Sequence, residues 1–210
     1  MDAALQSLID RAAVIDLAQT ERAARDQGQW ARMAACFHTD SRVSLSWIET
    51  SGPDFVEASR AAFAAGVRHL HQMSPTLVTL NGDRALAETG CVILLPGQAG
   101  GVAATVTCQA RLHARVERRQ DRVWRIAGLR PHYFRDWIAA DLPGPPPDLD
   151  PRRLAGYRQS YRFLSYLLED GGKTPRADLA GADRPDLAAA QDAEDARWLA
   201  GSLASGGGAG

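Results

Sequence analysis

Cysteine is scarce in this chain of 210 residues, which contains only Cys36, Cys91 and Cys108. These residues are odd in number and widely spaced, and no two of them form a CxxC pair. The sequence therefore lacks a disulfide framework and any cysteine-based zinc or redox motif. We interpret the three thiols as small, reduced core residues, and we expect a cytoplasmic protein.

An excess of charge of either sign is also missing. The chain has 24 Lys and Arg residues and 25 Asp and Glu residues, for a formal net charge of -1. Without a large basic surface, the protein is not expected to bind nucleic acid or an anionic membrane.

Long hydrophobic runs are absent as well. The N-terminal stretch MDAALQSLIDRAAVIDLAQ contains acidic residues throughout, unlike a signal peptide. No window approaches the roughly 20 consecutive apolar residues that span a bilayer. With 45% hydrophobic residues, the composition is typical of a soluble protein with a sizeable core.

The first part of the chain has the periodicity of helices. From Asp2, a candidate N-cap, apolar residues recur at helical spacing up to the segment DQGQ, and residues 30–37 form a second, shorter helical pattern. Pro53 and Gly66 mark the start and the end of a third helix. Between the second and third helices, residues 43–47 alternate apolar residues with serine, which predicts a half-buried strand.

Four long strand patterns follow, separated by turn signals such as NGD and PGQAGG. They are HLHQMSPTLVTL, residues 84–95, residues 102–116 and VWRIAGLRPHYF. Helices followed by a meander of antiparallel strands indicate an α+β fold, with the helices packed on one face of a curved sheet.

The character of the sequence changes after the last strand. We predict a main domain at residues 1–140, a proline-rich linker at residues 141–152, a helical C-terminal extension at residues 153–201 and a disordered tail at residues 202–210. The extension is too small to form its own core, so it is expected to dock on the main domain or on a partner subunit.

Three stretches together resemble the SnoaL-like, nuclear transport factor 2-like families. They are DLAQTERAARDQGQW, HQMSPTLVTLNGDRALAE and VWRIAGLRP, and the resemblance covers about residues 3 to 138. It implies a cystatin-like cone, in which a curved sheet wraps the long helix and leaves an apolar pocket open at one end. It also implies a homodimer or a higher homo-oligomer, formed through the open face of the sheet.

Within this group, VWRIAGLRP is most similar to the scytalone dehydratase branch. That resemblance implies an acid/base pair between Asp26 and His71. Other members of the family's constellation differ here: Arg25 and Leu45 stand where scytalone dehydratase has tyrosines, and Leu95 or Pro96 stands near its second histidine. Bile acid dehydratases have a tyrosine at the position of Glu21.

The residues themselves permit two interpretations of Asp26. The carboxylate lies in the last turn of a helix, where the macrodipole is unfavourable, so stability alone would not select it. If it accepts a hydrogen bond from His71, it fixes the imidazole tautomer and makes the other ring nitrogen a better base. The alternative is an exposed ion pair with Arg22, one turn earlier in the helix.

His69 and His71 are two residues apart and should project from the same face of a strand. The family match favours His71 as the base and leaves His69 at the pocket mouth or at the start of the strand. Two imidazoles on one face can also bind Zn²⁺ or Fe²⁺, with a third ligand from Glu49, Asp26 or His113. We predict no metal and no organic cofactor.

Further pocket candidates come from the long strands and the first helix. His113 could replace the missing second histidine if it points inward, with Gln109 and Arg111 on the same face, or all three could be solvated together. Glu21 could enter the pocket, although we favour helix surface. Leu45 and Trp47 are candidates for the pocket wall, although for Trp47 we favour a core position.

We therefore expect a cofactor-independent dehydratase or isomerase that acts on a small hydrophobic molecule with a carbonyl group. The alternative is a non-catalytic ligand-binding or assembly protein of the same fold, because a fold does not determine function.

Overall fold

The computed structural model describes residues 2–201, so the predicted disordered tail lies outside the described residues. The helices are α1 (Ala3–Asp26), α2 (Trp30–Ala35), α3 (Gly52–Ala64), α4 (Pro151–Gly156), α5 (Arg162–Asp170) and α6 (Pro185–Leu199). A single turn of 3-10 helix, Gln159–Tyr161, precedes α5.

The strands are β1 (Phe37–Leu45), β2 (Ile48–Ser51), β3 (Leu70–Asn81), β4 (Arg84–Ala99), β5 (Val102–Arg118), β6 (Trp124–Ala140) and β7 (Ala180–Gly181). Six of them form one sheet in the order β2-β1-β6-β5-β4-β3, and β7 pairs with β6. The α+β class and the curved sheet around a long N-terminal helix are confirmed.

The sheet is mixed rather than purely antiparallel. β1 runs parallel to β6, and the β3 to β6 meander is antiparallel. Phe37 and His38 begin β1 instead of closing the second helix, because Phe37 pairs with Ile126 of β6. The strand predicted over residues 43–47 ends at Leu45, and Trp47 lies in the turn between β1 and β2.

Local sequence signals account for the helix ends. The Asp2 side chain caps α1 by accepting the N–H of Ala4, and the Ser51 side chain caps α3 by accepting the N–H of Asp54. Gly66, just after α3, has φ +90, a conformation that glycine adopts without strain. This turn aims the chain into β3, where His71 lies.

The concave face of the sheet packs on α1 and α3 and forms one core. The three cysteines are buried in it, as expected, and burial raises the pKa of Cys36 and of Cys91 to about 12. Thiols in such surroundings remain protonated at neutral pH and act as small apolar side chains.

The C-terminal extension joins the same core, which confirms that it docks on the main domain. The first part of the extension is not one continuous helix. The segment is broken into α4, the 3-10 turn and α5, because Tyr157 adopts an extended conformation at the end of α4. Asp136 of β6 then accepts the N–H of Leu164 at 2.7 Å and so holds the first turn of α5 against the sheet.

α6 lies on the opposite, outer face of the sheet. Its Asp195 accepts hydrogen bonds from Arg115 and Arg130, both at 2.7 Å. The extension thus covers part of the face through which a homodimer is predicted, and Phe134 and Trp137 stay partly exposed on the same side. The homodimer stays a prediction.

No helix within residues 2–201 has both the length and the apolar character needed to cross a bilayer.

Candidate active site

Asp26 and His71 form a buried, doubly hydrogen-bonded pair where the end of α1 meets the start of β3. The Asp26 Oδ1 atom lies 2.7 Å from His71 Nδ1, and Oδ2 accepts the backbone N–H of His71, also at 2.7 Å. The side chains are 8% and 4% exposed. The predicted pairing of these two residues is present in the structure.

The electrostatics of the pair favour a neutral imidazole. Burial lowers the pKa of His71 well below its usual value, and the nearby Arg22 and Arg25 guanidinium groups lower it further. Burial raises the pKa of Asp26, whereas the His71 backbone N–H and Arg22 oppose that change. Since an ionised carboxylate can only accept, Nδ1 must carry the proton in the 2.7 Å contact, which leaves Nε2 with a free lone pair.

The alternative ion pair between Asp26 and Arg22 is not formed. Arg22 instead donates two hydrogen bonds to Glu21 Oε2, from Nε at 2.9 Å and from Nη2 at 2.6 Å. Glu21 is only 2% exposed, so the expectation that it lies on the helix surface is wrong. It does not line the pocket either. The sheet and α3 enclose this turn of α1 on both sides, which buries the pair.

His71 lines a narrow inner cavity inside the cone. The other residues around it are Arg22, Arg25, Leu45, Ser46, Trp47, His69, Ile93, Leu112, Tyr133, Leu164 and Leu168. Leu45 and Trp47 are therefore wall residues, as the sequence predicted. Ser46 and Tyr133 were missed, although the alternation along β6 could have placed Tyr133 on the concave face.

A larger outer cavity, of about 400 Å³, opens from the same region to the surface. Arg25, Trp47, His69 and Leu168 line both cavities, so the two adjoin at these side chains, and His71 lines only the inner one. Leu95 and Pro96, which stand near the family's second histidine, also line the outer cavity. The site is thus a pocket with an apolar wall and a buried polar end.

The extension supplies one side of this pocket. Leu164 and Leu168 of α5 line the inner cavity, and Leu167, Asp170, Gly171 and Lys173 line the outer one. The helical spacing of Tyr157, Tyr161 and Leu164 predicted a face that either covers the pocket or extends a subunit interface, and the sequence did not decide between the two.

His69 precedes β3 and lies at the junction of the two cavities. Its ring stacks on that of His71 with centroids 6.2 Å apart, which confirms that the two side chains share a face. Burial, with Arg25 as the next contributor, lowers the pKa of His69 to about 2. His69 is therefore neutral at physiological pH and lines the pocket rather than standing aside from it.

The predicted pocket role of Gln109, Arg111 and His113 is contradicted by the register of β5. Leu112 points into the cone, so its neighbours at odd positions point to the outer face. There His113 packs under α6, with Nδ1 3.6 Å from Asp195 Oδ2. Arg111 pairs with Glu88, and Gln109 is exposed.

The positions of Glu49 and His113 bear on the alternative that His69 and His71 bind a metal ion. Glu49 and His113 both line a separate cavity on the outer face, away from His69 and His71. In residues 2–201, no group of three His, Cys, Asp or Glu side chains is arranged to hold a metal ion.

Comparison with known proteins identifies the family of this chain. A SnoaL-like domain matches residues 6–130, more than half of the chain. An uncharacterized protein from Aspergillus terreus is 28% identical over 198 residues, which cover 84% of this chain and 71% of that protein.

Two solved structures show the same fold. Hexachlorocyclohexane dehydrochlorinase LinA-type3 from Novosphingobium barchaimii LL02 has a TM-score of 0.57 at 20% identity, covering 69% of this chain and 100% of that one. A putative scytalone dehydratase from Novosphingobium aromaticivorans has a TM-score of 0.50 at 14% identity, covering 70% and 96% of the two chains. The chain belongs to the SnoaL-like family.

Proposed function

We propose that this protein is a cofactor-independent dehydratase or isomerase, in which His71 is the catalytic base and Asp26 positions it. The observation that carries the proposal is the 2.7 Å contact between Asp26 Oδ1 and His71 Nδ1 at the buried end of a pocket. Two features argue against a purely structural role. Asp26 and His71 are buried, unlike a surface ion pair, and His71 lines a cavity, which a purely structural core histidine does not require.

The proposed chemistry begins with proton abstraction. His71 Nε2 takes a proton from a carbon next to a carbonyl group, and the electron pair of the C–H bond moves to the carbonyl oxygen. In a dehydration, the electron pair then returns to form the C=C bond, and the hydroxyl on the next carbon leaves as water with the proton from the imidazolium. In an isomerisation, the same proton returns to a different carbon.

The surroundings of His71 keep its imidazole in the form that can accept a proton at neutral pH. The imidazole is neutral, because burial and the guanidinium groups of Arg22 and Arg25 lower its pKa. Asp26 orients the ring and stabilises the imidazolium that forms during the reaction. The apolar wall excludes water and strengthens the electrostatic interactions inside the pocket.

The substrate class follows from the wall and the volume. The outer cavity of about 400 Å³ has a largely apolar lining and adjoins the narrow cavity that His71 lines, so it suits a small hydrophobic compound. The base requires an acidic C–H bond beside a carbonyl. The dehydrochlorinase and the putative scytalone dehydratase carry names that denote eliminations. They share only the fold with this chain, so the proposal depends on the Asp26 and His71 geometry.

Hydrogen–deuterium exchange tests the proposal without knowledge of the product. A panel of cyclic ketones, including 1-tetralone, is incubated in D₂O, and proton NMR measures the loss of the C–H signal beside the carbonyl. The wild type should accelerate exchange, and His71→Asn should reduce the acceleration at least about 100-fold.

His132→Asn is the matched control, because His132 stacks on Phe134 and His113 on the outer face. This variant should exchange like the wild type. Equal exchange by His71→Asn and the wild type, or no exchange by the wild type with any ketone that binds, contradicts the proposal and favours the ligand-binding alternative.

A further inference from the structure

Arg25 lies in the last turn of α1, and its guanidinium is part of the pocket wall. The residue is 6% exposed. Its Cζ atom is 6.0 Å from the centre of the Trp47 ring and 5.6 Å from the centre of the Phe55 ring. The two aromatic rings and the helix hold this cation in one place at the junction of the inner and outer cavities.

Most of the hydrogen-bonding capacity of Arg25 is unused within the described chain. A guanidinium has five N–H donors, and in residues 2–201 Arg25 makes one side-chain hydrogen bond, from Nε to Ser59 Oγ at 3.3 Å. Nη1 is 4.0 Å from Asp26 Oδ1, which is an ion-pair distance but too long for a hydrogen bond.

Arg22, in the same helix, differs from Arg25 because its guanidinium is hydrogen-bonded to a carboxylate. It donates from Nε and Nη2 to Glu21, so its charge already has a carboxylate partner. Buried polar groups almost always have hydrogen-bond partners, and leaving one unpaired is costly. The Nη atoms of Arg25 have no side-chain hydrogen bond within residues 2–201 and lie at the cavity wall, so they are available to a ligand with acceptor oxygens.

The geometry selects the kind of acceptor. The planar guanidinium fork matches the two oxygens of a carboxylate and binds them through parallel hydrogen bonds. Arg25 remains charged at neutral pH, since burial and the neighbouring Arg22 lower its pKa only to about 10. Lys173 adds a second cation nearer the surface, with Nζ 5.6 Å from the centre of the Trp47 ring.

The carboxylates near the pocket leave the Nη donors of Arg25 without a hydrogen bond. Asp170 lines the outer cavity, but it already accepts a hydrogen bond from Arg153 at 2.8 Å. Asp26 is engaged with His71 through both of its oxygens.

We propose that Arg25 binds the carboxylate of an organic acid, so that the substrate is a carbonyl compound that also carries a carboxylate. The statement that this acid is a substrate rests on the proposed function. The proposed binding of a carboxylate by Arg25 does not require turnover. Arg25 Nη1 lies 4.0 Å from the Asp26 oxygen that binds His71, so a carboxylate held by Arg25 would lie close to His71.

A pair of probes that differ only in charge tests the carboxylate site. Isothermal titration calorimetry compares 1-naphthoate with 1-naphthamide, which have nearly the same size and shape. The wild type should bind the naphthoate about 10- to 100-fold more tightly, as expected for a charge-assisted bidentate pair. Equal affinity for the two probes, or binding of neither up to their solubility limits, overturns the proposal.

Variants assign the preference to Arg25. Arg25→Gln should bind the two probes equally, and Arg25→Lys should keep part of the preference because it keeps the charge but loses the fork. Lys173→Gln should retain most of the preference. If Arg25→Gln does not fold, the probe comparison with the wild type and with Arg25→Lys still decides the question. A wild-type preference that Arg25→Lys retains in full would exclude the bidentate site.

The outcome is separable from that of the proposed function. His71→Asn should still prefer the naphthoate although it loses deuterium exchange. Exchange without a carboxylate preference would reject only the role of Arg25. A preference without exchange would reject only catalysis.

Discussion

Asp26 holds His71 at two points: Oδ1 accepts the ring Nδ1–H at 2.7 Å, and Oδ2 accepts the backbone N–H of the same residue at 2.7 Å. The carboxylate therefore fixes both the orientation of the imidazole and the position of the start of β3 against the end of α1. A shift of β3 by one residue would break both hydrogen bonds and turn the His71 side chain away from the pocket.

Removing the charge of Asp26 tests its positioning role. Asp26→Asn keeps the size of the side chain but no longer stabilises the imidazolium or enforces the tautomer. We expect the deuterium exchange rate to fall by about 10²- to 10⁴-fold. Asp16→Asn, on an exposed face of the same helix, is the control and should leave the rate unchanged. A similar rate for both variants would exclude Asp26 from the mechanism.

The protonation state of His71 is open to direct measurement. Because burial lowers its pKa, we expect nitrogen NMR to show the neutral Nδ1–H tautomer unchanged between about pH 7.5 and about pH 5.5, across the usual pKa near 6.5. The protein unfolded in urea, in which the histidines should titrate near that value, is the control. A folded-state titration of His71 near 6.5 would contradict the description of the site.

The sign of the linked stability change follows from the same pKa. Below about pH 6.5 the unfolded chain binds a proton at His71 that the folded protein excludes. This residue therefore contributes less to the free energy of unfolding as the pH falls.

Asp136 should act in the opposite direction. Burial raises its pKa to about 6 although it accepts the N–H of Leu164. Between about pH 4 and pH 6 the folded protein binds the proton more tightly than the unfolded chain, so the contribution of Asp136 to stability falls as the pH rises. The shift corresponds to about 2 to 3 kcal/mol at most.

Urea unfolding of wild type and Asp136→Asn at about pH 4 and about pH 7 measures this effect. The variant retains an amide oxygen that can accept the Leu164 N–H. Its free energy of unfolding should therefore not show the decrease from about pH 4 to about pH 7 that Asp136 causes in the wild type. Asp192→Asn, an exposed carboxylate on α6, should behave as the wild type does. The same pH dependence in Asp136→Asn and the wild type would contradict the assignment.

The extension should contribute to both stability and the pocket. Leu168 of α5 is 8% exposed and lines both cavities. Leu168→Ala should lower the free energy of unfolding by about 2 to 4 kcal/mol, because it removes buried apolar volume. Affinity for 1-naphthoate should fall as well.

Leu142→Ala is the matched control, since Leu142 is 76% exposed in the segment that follows β6. Its effect on unfolding should stay within about 0.5 kcal/mol. Equal effects of the two substitutions would mean that α5 does not pack on the domain in solution.

Local patterns determined much of the fold. The caps at Asp2 and Ser51, the strand alternation and the turn segments are short-range features of the chain, and the helices and long strands follow them. The family motifs then paired Asp26 with His71, which the structure brings together. These features could be predicted because each depends on residues close in sequence or on a known spacing.

The side of the sheet or helix on which a side chain lies was harder to predict than the elements themselves. His113 and Leu112 are adjacent in β5, and the sequence allowed either to point inward until the register with β4 and β6 was known. Glu21 had the polarity of a surface residue, but it is buried because it pairs with Arg22 where α3 and the sheet meet the helix.

The sequence by itself thus determined most of the elements and their order, since propensities and spacings encode these locally, and the family resemblance linked Asp26 with His71. Only the tertiary structure decided that Leu164 and Leu168, far along the chain, complete the pocket. Only it showed that Arg25, which stands where scytalone dehydratase has a tyrosine, has Nη donors at the pocket wall without a hydrogen-bond partner in residues 2–201, since pairing depends on which side chains the packing brings within reach.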